Sequence, residues 1–217
     1  ETLLAGWQLP AGFAALADTG DHNWLVIEGT ATRLEYVRLL SDCAALGRPA
    51  HTAAIPTELA DQLQLESSRR WLWMWREDGV RSLPLGCKVV EPGVEDAEIA
   101  RFLQLAAPDA SVMPGDPEIQ FWVTHRNEVG ELDAVAGGVI WNSGAAVIAS
   151  VAVAPDNRRQ GLGSCATQVA ASEHFQRGAR RVCLGVRGSN IPAQEMYRSI
   201  GFEQDRDFTS LKLTAEH

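Results

Sequence analysis

Residues 154–166 read APDNRRQGLGSCA, with two arginines and two closely spaced glycines between an apolar run and an alanine-rich one. The first amides of a helix have no partner within it, and the helix dipole adds roughly half a positive charge there. Gly161 and Gly163 let the chain bend tightly and let a ligand approach those amides without meeting a Cβ. Arg158 and Arg159 bring charge to the same place. These residue types in this order suit a phosphate or diphosphate at a helix N-terminus. The same glycines would equally serve a plain surface turn. Two other phosphate loops are excluded: no Gly-Lys-Ser/Thr follows, and Gly161-Leu162-Gly163 lacks the third glycine of the dinucleotide fingerprint.

Such a loop needs a strand before it and a helix after it, and the hydrophobic pattern supplies both: a strand over 145–153 and a helix over 163–176, with Gly178 just past its end. Upstream, strands are expected at 23–28, 51–55 and 70–76, the last closed by the turn-former Asp78-Gly79. A helix is expected over 33–46, capped by Thr32, with Leu34, Val37, Leu40 and Ala44 on one face; a second, capped by Thr57, covers 57–65. A boundary is expected at 82–86 (SLPLG), dividing the chain into 1–85 and 86–217. Beyond it come a strand at 87–91 and a helix at 94–106 with Ile99, Phe102 and Leu103 as its apolar stripe. An irregular loop over 108–117 precedes a hairpin of strands 119–125 and 134–141 about the turn 127–131. After the glycine loop and its helix follow a strand at 181–186, a short helix at 192–200 and a strand at 208–213. Strands and helices mixed around an antiparallel hairpin mean an α/β (α+β) class rather than a doubly wound parallel sheet.

The chain has 217 residues, 46% hydrophobic and 22% charged, enough for one large domain or two small ones. Its net charge of −9 argues against general binding to nucleic acid or an anionic membrane, and is compatible with a cationic substrate. No stretch approaches the roughly 20 apolar residues of a spanning helix, and the first residues lack the pattern of a secretory leader, so a cytoplasmic location is expected. Cys43, Cys87, Cys165 and Cys183 show neither paired spacing nor a C-x-x-C, and the spacing suggests neither a disulfide framework nor a zinc site.

Arg158-x-x-Gly161-x-Gly163, preceded by Ser150-Val-Ala-Val-Ala-Pro155, resembles the acyl-CoA signature of the GNAT superfamily of N-acyltransferases. The stretch Asn190-x-x-Ala193-x-x-x-Tyr197-x-x-x-Gly201-Phe202 is similar to that family's second conserved stretch. Two motifs in order with a strand between them are far more specific than either alone, and the resemblance covers about residues 87–213. It implies a mixed, mostly antiparallel sheet flanked by helices. It also implies transfer of an acyl group, acetyl being expected, from coenzyme A to a primary amine of a small molecule or protein, without a metal. Main-chain groups of Val151 and Val153 would bind the pantetheine arm as an added strand. The amides of Arg159, Gln160, Gly161, Leu162, Gly163 and Ser164 would cradle the diphosphate, with Arg158 at the loop's start and Asn190 beside the pantetheine. Tyr197, one of two tyrosines in the chain, would protonate the departing thiolate as general acid. Residues 1–85 would be a reduced, non-binding copy of the same fold or an unrelated cap. The competing reading is a non-catalytic acyl-CoA-binding or sensor module; a homodimer is compatible with either.

Amide formation needs a neutral amine, whereas an alkylamine with a reference pKa near 10.4 is protonated at neutral pH. In several members of the family a glutamate or histidine on the strand before the phosphate loop removes that proton; here residues 145–150 read AAVIAS. Glu118, His125 and a water anchored by Ser150 are the available substitutes, and each also reads as an ordinary strand or hairpin position, so no base is assigned. Proximity of the bound amine and thioester could carry much of the rate. Trp71, Trp73 and Trp75 share one strand face with Leu72 and Met74 on the other, which reads as a doubly buried strand or a joining surface, an aromatic acceptor wall being the alternative. Cys165 reads as a small packing residue in the first helical turn, and His174 as a solvated helix residue.

Overall fold

A computed structural model describes residues 2–18, 23–65, 69–77 and 86–213. In chain order the elements are β1 (Thr2–Leu9), β2 (Ala11–Asp18), β3 (Asn23–Thr30), α1 (Arg33–Ala45), β4 (Thr52–Pro56), α2 (Thr57–Gln62), β5 (Arg69–Arg76) and β6 (Cys87–Val90). There follow α3 (Asp96–Ala106), β7 (Ile119–Arg126), β8 (Leu132–Ile140), β9 (Ala146–Val153), α4 (Leu162–Gln176), β10 (Val182–Arg187), α5 (Ile191–Ser199) and β11 (Glu203–Lys212). The chain forms two compact units, Glu1–Trp73 with Val186–Ile191 and Asp205–His217, and Met74–Gly185 with Pro192–Gln204. The turn Asp78-Gly79 and most of the expected boundary at 82–86 lie outside the described residues.

In the first unit β1, β2 and β3 form an antiparallel meander, and β4 lies parallel to β3 over Trp24↔Thr52 to Val26↔Ala54. The far side of β4 pairs antiparallel with the end of β11, Phe208↔Pro56 to Lys212↔Thr52. Leu16, Leu25, Ile27, Ala53 and Ile55 of the strands pack with Tyr36, Leu39 and Cys43 of α1 and Leu59 of α2. The buried stripe of α1 therefore differs from the expected one, and Leu34 and Val37 are 79% and 51% exposed. Two apolar stripes compete around this helix, and the one holding Tyr36 buries the larger side chain. Thr57 is the first helical residue rather than the cap, a place taken by Pro56; its hydroxyl bonds that of Thr209 at 3.1 Å in the interior. The hairpin of β1 and β2 is not signalled by local propensity, because AGFAALAD carries little β-branched or aromatic content.

The second unit has strand order β10-β9-β8-β7-β6, antiparallel from β6 to β9, with β10 parallel to β9 over Ala146↔Val182 to Ile148↔Leu184. Helix α4 packs against β6 to β9, and α3 against β8 and β9. Gly138 in β8 is required by close approach: a Cβ there would meet the Phe121 ring at 2.1–2.4 Å. His174, expected to be solvated, is 1% exposed and holds the carbonyl of Val147 through Nε2 at 3.1 Å. The stripe Ile99, Phe102, Leu103 of α3 faces inward as expected, with Ile99 and Leu103 fully buried.

Strand β5 is not doubly buried. Leu72, Met74 and Arg76 are buried, but the three tryptophans on the opposite face are half-exposed. Within the first unit the Arg187 guanidinium lies 5.7 Å from the Trp71 ring, and within the second Arg181 lies 4.4 Å from Trp75. Such cation–π contacts let a large ring remain at the surface. Cys87 and Cys165, which no spacing rule pairs, bring their sulfurs to 2.6 Å.

Candidate active site

The site is built on β9. Its pairing with β8 shifts between Val135↔Ala152 and Gly137↔Ala149, so Ser150 and Val151 together face Ala136. Ser150 takes φ 51°, the left-handed region that a non-glycine residue adopts only under local constraint. The constraint is visible: its hydroxyl donates to Val112 O at 2.7 Å and accepts from Val112 N at 3.1 Å, binding the loop after α3 to the bulge. The single hydroxyl hydrogen of Ser150 is thereby committed to Val112 O. On the other edge, β10 pairs with β9 only as far as Ile148. The backbone of 149–153, including Val151 and Val153, thus has an edge with no strand partner among the described residues, open to an extended ligand.

After β9 a single 3₁₀ turn, Pro155–Asn157, leads into the arginine–glycine loop. Arg159 has φ 64° and Gly161 φ 83°. Gly161 stands at the N-cap of α4, where it provides no side chain to bond the first-turn amides. A Cβ at Gly161 would meet nothing within 4 Å, while one at Gly163 would meet Val153 Cγ2 at 3.4 Å. Arg158, Arg159 and Gln160 are exposed, and Leu162, Gly163 and Ser164 partly so. Arg158 turns back onto main chain, Nε 3.4 Å from Val153 O and Nη2 3.3 Å from Ala106 O, so in this state it fixes the loop's start. Uncapped amides, adjacent guanidinium groups and open space over Gly161 are what a diphosphate needs, and the residues present fit that group.

The turn is held from beneath. Asp133, 4% exposed, takes His125 Nδ1 on one carboxylate oxygen at 2.5 Å and Asn157 Nδ2 on the other at 3.2 Å. Its carbonyl accepts from Ala154 N at 2.8 Å. His125 is therefore a member of a buried network that orients the turn, not a solvated hairpin position. Glu118, at the head of β7, is half-buried and contributes its carbonyl to Ile140 N. No motif or spacing in the sequence marks Asp133.

Tyr197 lies in α5, 6% exposed, with its ring edge-on to Phe202 at 6.1 Å. Burial pushes its phenol up to about 12, so it is neutral and a hydrogen-bond donor throughout the physiological range. The end of α5 is fixed by buried Arg76, whose Nη1 donates to Ile200 O at 2.5 Å. Arg76 lies on the buried side of the alternation in β5, a signal the pattern RWLWMWR contains but that attention to its tryptophans conceals. Asn190, exposed in the segment Val186–Ile191 of the first unit, donates its amide to Arg187 O and immediately precedes α5. Among the described residues no group of three or more His, Cys, Asp or Glu is placed to hold a metal ion.

An antiparallel meander whose last strand, β9, is bulged, a glycine-led helix after it and a parallel strand that pairs only briefly define the acetyltransferase class of fold. The model of the acetyltransferase (GNAT) family matches residues 92–202, and the chain belongs to that family. Over 59 residues it is 39% identical to the [ribosomal protein bS18]-alanine N-acetyltransferase of Escherichia coli K12, a match covering 27% of this chain and 40% of that enzyme. Among solved structures it is similar to a GCN5-related N-acetyltransferase from Kribbella flavida, with TM-score 0.63 at 23% identity over 97% of this chain and 90% of the other. A tandem GNAT protein from the clavulanic acid biosynthesis pathway shares the fold at TM-score 0.57 and 13% identity, over 95% and 80% of the two chains.

Proposed function

We propose that the second unit transfers an acetyl group from acetyl-CoA to a primary amine of a small molecule or a protein. The observation that carries the reading is the glycine-led start of α4, uncapped by any side chain, at the end of a bulged strand with an open edge. Acetyl-CoA supplies the thioester: the amine nitrogen bonds its carbonyl carbon, the C–S bond breaks, and the proton lost by nitrogen ends on sulfur or solvent. The amides of residues 159–164 hold the diphosphate with Arg158 and Arg159, and the open edge at Val151 and Val153 receives the pantetheine. Backbone amides at the Ser150–Val151 bulge stabilise charge developing on the carbonyl oxygen. Tyr197 donates its hydroxyl hydrogen toward the departing sulfur, a role its neutral phenol suits. No base is assigned, and positioning of the amine carries that part of the rate.

The first unit is read as a reduced copy. It repeats the order the second follows from β7 onward: three antiparallel strands, a helix, a strand parallel to the last of them, then a short helix. Only two residues, 31 and 32, separate β3 from α1. Thr32 then closes the helix on itself: Glu35 N donates to Thr32 Oγ1 at 3.2 Å and Glu35 Oε2 accepts from Thr32 N at 2.7 Å. Those are the amides a diphosphate would need.

The absence of carboxylate and imidazole from β9 favours a second reading, an acyl-CoA-binding module without turnover. A thiol-release assay with acetyl-CoA and a panel of amines and N-terminal peptides separates the two. Turnover that falls in Tyr197→Phe with unchanged coenzyme A affinity supports the enzyme; tight binding without turnover on any amine overturns it.

A further inference from the structure

We infer that Cys87 and Cys165 form a covalent modification site, a dithiol that low-molecular-weight disulfides oxidise to an internal disulfide joining β6 to the first turn of α4. The two cysteines are 78 residues apart in sequence, yet their sulfurs lie 2.6 Å apart in the second unit. That is about half an ångström beyond a disulfide bond, so the sulfurs need to travel little to close it. Cys87 is half-buried and Cys165 is 8% exposed, so a reagent meets Cys87 first.

The chemistry balances without a metal or a further oxidant. The Cys87 sulfur, having lost its proton, attacks one sulfur of the reagent; the reagent's S–S bond breaks and one small thiol leaves with a proton. Cys165 then displaces the second small thiol from the mixed disulfide, and its proton leaves with that thiol. Two protein thiols are oxidised and one disulfide is reduced to two thiols. Burial first, then the Cys165 sulfur and the Asp133 carboxylate, push the Cys87 thiol well above its ordinary range. This slows the first attack, but it also deprives reduced Cys87 of thiolate stabilisation, which favours the disulfide once formed.

The cross-link closes a long loop that contains β7, β8 and β9. Confining so much of the unfolded chain predicts a rise in Tm of roughly 10 °C. Since the sulfurs are already in contact, the amides of 159–164 keep their places and coenzyme A affinity is unchanged. The test treats the full chain with oxidised glutathione and maps unreduced peptides by mass spectrometry, beside Tm with and without dithiothreitol. The expected result is one linked pair containing Cys87 and Cys165 and a dithiothreitol-reversible rise in Tm, absent in Cys87→Ser and Cys165→Ser. A Cys43→Ala/Cys183→Ala variant retains both effects. Continued alkylation of both thiols after oxidation, linkage to Cys43 or Cys183 instead, or a cross-link that leaves Tm unmoved overturns the inference. None of these readouts depends on acetyl transfer, so the inference and the proposed function fail separately.

Discussion

Acidification from neutrality to pH about 4 is expected to destabilise the second unit by about 3 kcal/mol through one side chain, His174. Desolvation by the surrounding core is the main reason its pKa falls from 6.5 to about 4; Arg177 adds to the fall, while the hydrogen bond to Val147 and the Glu173 charge oppose it. Well above pH 6.5 the imidazole is neutral whether the chain is folded or not, and its contribution to the pH dependence vanishes. Between 6.5 and about 4 the unfolded chain takes up a proton that the folded one refuses, so stability falls as pH falls, and the effect levels off below. At about 1.4 kcal/mol per pH unit, that gap yields the figure above. Glu35 and Glu98, held below the ordinary carboxylate range by hydrogen bonds from Thr32 and Arg126 respectively, act lower on the pH axis than the upper half of this window. The assay is urea unfolding at a series of pH values for wild type and His174→Gln, whose amide can still donate to Val147. The variant is expected to be less stable near neutrality, having lost the edge-on contact of His174 with Phe121 at 4.9 Å, but with a flatter profile between pH 6.5 and 5. Identical slopes for the two proteins, or an imidazole that titrates at its ordinary value by NMR, would refute the reasoning.

Replacing Tyr197 by Phe removes the proposed donor to sulfur and is expected to lower kcat about 100-fold while calorimetry shows coenzyme A binding intact. With the phenol at about 12, the wild-type kcat profile should show no alkaline limb from Tyr197 across the neutral range. Gly161→Val forces a β-branched residue to φ 83° in otherwise open space. The exposed loop relaxes out of that conformation when free and is forced back on binding, so about 1–2 kcal/mol of strain should weaken coenzyme A roughly tenfold with little change in Tm, read by calorimetry and thermal melting. In Gly138→Ala the new methyl would overlap the Phe121 ring, and a loss of at least about 2 kcal/mol in urea unfolding is expected; an unchanged midpoint would mean the ring is free to move.

The features legible in the sequence share one property: each depends on a few residues close together in the chain. The arginine–glycine loop, the helix after it, the hairpin of β7 and β8 and the stripe of α3 are specified by local turn chemistry and periodicity. Apart from the β1–β2 hairpin, whose second strand lacks β-formers, what is not legible depends on distant partners. His174 reads as polar until Val147 and Phe121 enclose it, and α1 presents two apolar stripes between which only the neighbouring sheet decides. Asp133 and Arg76 reach backbone or side chains of other elements, and the sulfurs of Cys87 and Cys165 meet across elements that no spacing rule relates.

The difference between the two units is itself local. Both follow a meander with a helix and a parallel strand, so the topology alone would give each a helix N-terminus facing the end of the meander's last strand. In the first unit a threonine and a glutamate three residues on bind the helix's own first turn and its cap, and two linking residues leave no loop. In the second, eight residues, 154–161, precede the helix, and a glycine at its cap leaves the amides unclaimed by any side chain. A capping side chain and an incoming anion compete for the same donors, so the residue before the helix decides whether the fold closes on itself or stays open to a ligand.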